Sequence, residues 1–114
     1  MTSPFFSILI LCWNSNAYIR QCLQSLHDQT EQDFEVIVVD NGSIEPIAID
    51  DLGRISGLNI RYDRLEQNVG FAAGNNYAAT LAKGQYLVLL NSDAFPQADW
   101  LAVIRDAIAR YPLS

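Results

Sequence analysis

Apolar residues fall in four short runs, separated by stretches where they recur at helical spacing. Phe6–Trp13 is apolar except at Ser7 and reads as a first strand buried on both faces. Asn14-Ser15-Asn16 offers helix-capping side chains. Tyr18, Ile19, Cys22, Leu23 and Leu26 then share one face, which predicts an amphipathic helix from about Ala17 to Asp28. Phe34–Val39 is a second apolar strand, closed by the turn sequence Asp40-Asn41-Gly42-Ser43. The stretch 46–57 fits either a short helix or a loop. Leu58–Leu65 alternates apolar and polar residues, as a half-exposed edge strand does. A turn at Asn68-Val69-Gly70 leads into an Ala-rich helix over Phe71–Ala82, with Lys83 near the negative end of its dipole and Gly84 as a left-handed stop. Tyr86–Leu90 is the most apolar strand and is expected at the centre of the sheet. Asn91-Ser92-Asp93 ends it, and Pro96 opens a last helix with Leu101, Ile104, Ile108 and Tyr111 on its face.

Buried strands alternating with helices predict an α/β, Rossmann-like, three-layer α/β/α fold with a mainly parallel sheet and right-handed crossovers. With 114 residues, half of them hydrophobic, the chain reads as one domain with a real core. The net charge of −6, from 13 acidic and 7 basic residues, leaves no basic stripe and argues against nucleic-acid binding. An acidic chain can still take an anion through backbone N–H groups or a divalent cation. Cys12 and Cys22 sit among apolar residues and read as buried free thiols. No apolar run reaches the ~18 residues of a membrane span, and nothing resembles a signal peptide. The expected location is cytoplasmic, including the inner face of the membrane.

Open α/β sheets bind ligands beyond the carboxyl ends of their strands, where the strand order reverses. That rule selects the tips at Trp13-Asn14, Asp40-Asn41 and Asn91-Ser92-Asp93. Asp40 could accept hydrogen bonds from a ribose hydroxyl or a base N–H, or could close an Asx-turn. Asp93 suits Mg²⁺ or Mn²⁺ on a diphosphate, or a simple turn. Asn68–Asn76 opens a helix whose N–H groups could meet an anion, and Gly74 within it marks a close backbone approach. Trp13 fits a nucleobase-stacking residue or a core residue equally well. His27, the single histidine, reads as solvated, as do Glu45, Asp50 and Asp51. With His27 read as solvated, nothing in the sequence argues for a Ser-His-Asp arrangement or a Cys-His pair, and there is no zinc-type cluster.

Five segments, in order, resemble the N-terminal half of the inverting GT-A-type glycosyltransferases of family 2. They are Ser7–Asn14, where Trp13 stands in place of the family's tyrosine; Leu23-Gln24-Ser25-Leu26 with Gln29; Glu35–Ser43; Asn68-Val69-Gly70 with Asn75; and Ala82–Asp93. The resemblance implies a domain that binds a nucleotide-diphosphate sugar. Leu11, Trp13, Asn14, Asp40, Asn41, Asn68, Gly70, Asn75 and Ser92 would form the nucleotide site, and Asp93 would hold Mg²⁺ or Mn²⁺. The D-x-D motif stands here as Asn91-Ser92-Asp93, and Gly74 replaces an arginine common in the family. Both features resemble the rhamnosyltransferase-like branch, so dTDP-rhamnose or a UDP-sugar is the expected donor and a glycan or lipid-linked molecule the acceptor. Family members continue well past residue 114 into an acceptor half that carries the catalytic base. The chain is therefore expected to be a donor-binding domain truncated before that half, with little transfer activity alone. Two other readings stand beside this one: a non-catalytic Rossmann-like interaction module, and a receiver-like phospho-accepting domain. The second lacks the acidic pair that receivers carry after the first strand and their late strand-end lysine.

Overall fold

The computed structural model describes residues 3–47 and 58–111. The ambiguous stretch 46–57 falls, from residue 48 onward, outside the described residues. The elements are β1 (Phe6–Cys12), α1 (Ile19–His27), β2 (Phe34–Asn41), β3 (Ile60–Leu65), α2 (Phe71–Leu81), β4 (Tyr86–Leu89) and α3 (Trp100–Arg110). The four strands form one sheet in the order β3-β2-β1-β4, parallel throughout. β1 and β2 are buried along nearly their whole length, which explains why their sequences are continuous apolar runs.

Side-chain alternation sorts the core into two layers. Phe6, Ile8 and Ile10 of β1 join Phe34, Val36 and Val38 of β2 under Cys22, Leu23 and Leu26 of α1 and Leu101 of α3. Leu9, Ile37 and Val39 point the other way, beneath Ala78 of α2. Helices thus cover both faces, as the pattern predicts. Gln29 ties the end of α1 to the start of α3. Its Nε2 donates to the Ser25 and Gln97 carbonyls, and its Oε1 accepts the Leu101 N–H at 3.0 Å.

Four local expectations are corrected. β4 lies at an edge of the sheet rather than its centre. Leu87 and Leu89 are 48% and 52% exposed, because α2 packs over β1 and β2 and stops short of β4. α1 takes no side-chain cap from Asn14-Ser15-Asn16; the Ser15 carbonyl accepts the Tyr18 and Ile19 N–H groups instead. Gly84 is not a left-handed stop. α2 ends in extended backbone at Ala82, and a Cβ on Gly84 would lie 2.5 Å from Ser7 Oγ and 2.7 Å from the β1 backbone. α3 begins at Trp100, after a turn in which the Trp100 N–H bonds to the Gln97 carbonyl.

The topology fixes where a ligand can go. From β1 the chain runs outward to β2 and β3, then crosses over to β4 on the opposite side of β1. The carboxyl ends of β1 and β4 therefore flank a topological switch point. Among the described residues, no helix is long and apolar enough to cross a membrane.

Candidate functional site

An open cleft of about 460 Å³ lies at that switch point. β1 and its outgoing turn supply Leu11, Trp13 and Asn14, β2 supplies Asn41, the turn before α2 supplies Asn68, and the end of β4 supplies Ser92 and Asp93. The structure thus brings seven of the ten residues selected from the sequence to one cavity. It also adds Cys12, Ser15, Tyr18, Phe71 and Asn91. Asn91 already belongs to a strand tip selected from the sequence, and Ser15 lies one residue beyond another. Tyr18 reads as part of the apolar face of the first helix and Phe71 as the start of the Ala-rich one, so neither gives a separate signal.

Trp13 is 53% exposed, which settles its reading against a core tryptophan. Asn14 follows with φ of +52°, a left-handed conformation that side chains other than glycine rarely adopt. The β2 turn holds it there. The Asn14 N–H donates to Ser43 Oγ at 2.8 Å, and Asn14 Oδ1 accepts the Ile44 N–H at 3.0 Å. Asn41 is equally constrained. Its Nδ2 donates to Asn68 Oδ1 and the Gly70 carbonyl, both at 3.2 Å, and its Oδ1 accepts the Val69 N–H at 3.0 Å. Gly74 allows this packing, since a Cβ there would lie 2.7 Å from the Leu11 methyls and 3.2 Å from Asn41 Nδ2. The close approach read from the sequence is therefore between α2 and the floor of the cleft.

Three selected residues are placed elsewhere. Asp40 is 0% exposed and does not line the cleft. Its Oδ1 accepts the Ser43 N–H at 2.9 Å. Its Oδ2 accepts the Ile47 N–H at 3.2 Å and pairs with Arg64 Nη1 at 2.9 Å. With three internal donors and no exposed surface, the Asp40 carboxylate holds the loop after β2 without lining the cleft. Asn75 is buried in α2, where its Nδ2 donates to the Phe71 carbonyl at 3.0 Å. Gly70 acts through its carbonyl on Asn41 and lies outside the cleft wall.

Asp93 differs from Asp40 in exposure and in partners. It is exposed on the cleft, and among the described residues no side-chain hydrogen bond or ion pair engages its carboxylate. Among the described residues no three of His, Cys, Asp and Glu come together as a metal cluster. A lone carboxylate still fits Mg²⁺ or Mn²⁺ arriving with a diphosphate, since such ions commonly take one or two protein oxygens and fill the rest from phosphate and water. Beneath the cleft, the free thiols Cys12 and Cys22 are both buried. Burial pushes each from the ordinary 9.0 up to about 12, helped at Cys12 by the charges of Cys22 and Asp40 and at Cys22 by that of Asp93.

The family model described as Glycosyl transferase family 2 matches residues 7–114. The chain belongs to that family. A chondroitin synthase of Pasteurella multocida is 33% identical over 97 residues, 84% of this chain and 10% of its own length. Among solved structures, S. aureus TarS 1-349 in complex with UDP-GlcNAc superposes with a TM-score of 0.82 at 28% identity, covering 92% of this chain and 31% of its own. The mannosyltransferase PcManGT from Pyrobaculum calidifontis, in complex with GDP-Man and Mn²⁺, gives 0.83 at 24% identity, covering 98% and 34%. The GT-A-like, Rossmann-like α/β fold is shared with both. The chain spans between about a tenth and a third of the lengths of these similar proteins.

Proposed function

We propose that this family 2 chain is the donor-binding portion of a glycosyltransferase, which moves a sugar from a nucleotide diphosphate to a glycan or lipid-linked acceptor with inversion. The cleft at the β1–β4 switch point carries this reading, with an exposed aromatic at one strand tip and, at the other, a carboxylate without a side-chain partner among the described residues. Trp13 would stack on the base, with Asn41 and Asn68 at its edge. Ser92 would meet the ribose and diphosphate. Asp93 would hold Mg²⁺ or Mn²⁺, whose charge would stabilise the departing diphosphate. The bound UDP-GlcNAc in TarS and the GDP-Man with Mn²⁺ in PcManGT support a nucleotide-sugar ligand. The finer donor reading, dTDP-rhamnose, rests on Asn91-Ser92-Asp93 and on Gly74, whose packing against Leu11 leaves no room for an arginine.

A receiver-like role is disfavoured by position as well as by family. Lys83, the single lysine, stands before β4, at the end of that strand opposite the cleft. Calorimetric titration with dTDP, UDP and GDP, each with and without Mn²⁺, tests the proposal. We expect one nucleotide to bind with micromolar to millimolar affinity and more tightly with Mn²⁺. A folded chain that binds none of the three would overturn it.

A further inference from the structure

Ser15, read from the sequence only as part of a helix-capping triplet, occupies the junction of the cleft. It is 4% exposed. Its carbonyl accepts the first N–H groups of α1, from Tyr18 at 2.9 Å and Ile19 at 3.0 Å, which pins the residue in place. Its Oγ accepts the Trp13 N–H at 3.1 Å. The same Oγ lies 3.2 Å from the Trp13 carbonyl and 2.8 Å from Ser92 Oγ, a contact between residues 77 apart in sequence. Ser15 therefore stitches the turn bearing Trp13 to the tip of β4 bearing Asp93, across the switch point.

Counting protons shows what this link can do. A hydroxyl has one hydrogen and two lone pairs. The Ser15 proton has two acceptors within reach, the Trp13 carbonyl and Ser92 Oγ, and the second is nearer. When it goes to Ser92, the Ser92 proton has no other acceptor among the described residues and Ser92 lines the cleft beside Asp93. An anionic oxygen in the cleft would favour that order, because O–H donation to a charged oxygen is stronger than to a neutral one.

Resting on the donor-binding reading above, we propose that Ser15 is a positioning residue that fixes the Ser92 hydroxyl as a donor to the diphosphate of a bound nucleoside diphosphate. The test is a double-mutant cycle on the 114-residue chain, using Ser15→Ala, Ser92→Ala and the double variant. UDP is the diphosphate probe and uridine the base-only probe, both measured by calorimetry. Each single variant should weaken UDP about tenfold, the scale of one charge-assisted hydrogen bond, and the double variant should be no worse than either. Uridine affinity should stay within about twofold throughout. Ser15→Thr should recover most of the UDP affinity. Ser15→Cys, which keeps the size but donates weakly, should behave as the alanine variant and serves in its place if that variant does not fold. Additive losses, or equal losses for UDP and uridine, would overturn the Ser15 assignment while leaving the donor-binding reading intact. If the wild-type chain binds none of UDP, dTDP and GDP, the donor-binding reading fails and the assignment falls with it.

Discussion

Asp40 and Asp93 are the same residue type at the same kind of place, the carboxyl end of a buried-looking parallel strand, and the fold uses them oppositely. Asp40 ends β2, which has a strand on each side. In the neighbouring strand Arg64 stands directly opposite it in register, and the loop that follows turns back to offer two N–H groups. Asp93 follows β4, the sheet edge, where among the described residues no neighbouring strand brings a cation to it. A strand-end carboxylate is available for ligand chemistry only where the surrounding sheet leaves it without internal donors. Asp40 belongs to closed scaffold under the β2 tip; Asp93 stands on the open cleft, the surface proposed to meet the ligand.

The largest effect that would break this comparison is on stability. Asp40→Ala strands two N–H groups and a partly exposed guanidinium, and should cost about 3 kcal/mol in urea unfolding, after allowing for solvent around Arg64. Asp93→Ala should change stability by less than about 0.5 kcal/mol, as exposed substitutions do. The order reverses for ligand. Asp93→Ala should abolish the Mn²⁺-dependent gain in UDP affinity, whereas any Asp40 effect should follow its loss of fold. An Asp40→Ala chain of wild-type stability that has lost nucleotide binding would show that Asp40 contacts the ligand after all.

Much of this division was legible in the sequence, and its limits have physical causes. The two strands with continuous apolar runs, β1 and β2, are buried as read, and alternation marked β3 as an edge. The run in β4 was misplaced because apolar content reports what a strand can bury, not which neighbour covers it. Leu87 and Leu89 face the α2 side of the sheet, where no described helix covers them. Strand-end placement found most of the cleft, since the parallel topology follows directly from alternating elements. It could not separate Asp40 from Asn41. Adjacent residues on a strand point to opposite faces, and choosing between them needs the register and the position of Arg64. Ser15 was missed for a related reason, because its partner Ser92 is distant in sequence.

The second effect, of middling size, concerns the thiols that underlie both regions. Both folded values are raised above the ordinary 9.0, to about 12. Their contribution to stability is complete below pH 9, shrinks as the unfolded thiols ionise, and is fully lost once pH passes 12. At pH 10 the loss should be roughly 1 kcal/mol per thiol relative to pH 8. Unfolding free energies at the two pH values check this, and Cys22→Ala should flatten the slope by about half. Thiol reagents at pH 8 should label neither cysteine until denaturant is added. Rapid labelling of Cys12 alone would mean that the floor of the cleft opens, which would blur the contrast between scaffold and working surface.

The smallest effect sharpens the working side itself. Trp13 is held through its backbone, by the Ser15 hydroxyl, while its ring stays largely in solvent. Changing the ring should therefore leave the fold untouched and alter only what the ring meets. Trp13→Phe keeps an aromatic face of smaller area and should weaken UDP and uridine alike, by about two- to fourfold, a fraction of the stacking energy of one base. Equal weakening distinguishes Trp13 from Ser15, whose loss should weaken UDP about tenfold and uridine by no more than about twofold. Because Trp100 is partly buried in the opposite layer, a nucleotide-dependent change in tryptophan fluorescence should come from Trp13 and vanish in Trp13→Phe. A change that persists in that variant would place the ligand, or a movement it causes, nearer α3, and would move the working surface away from the β1 tip.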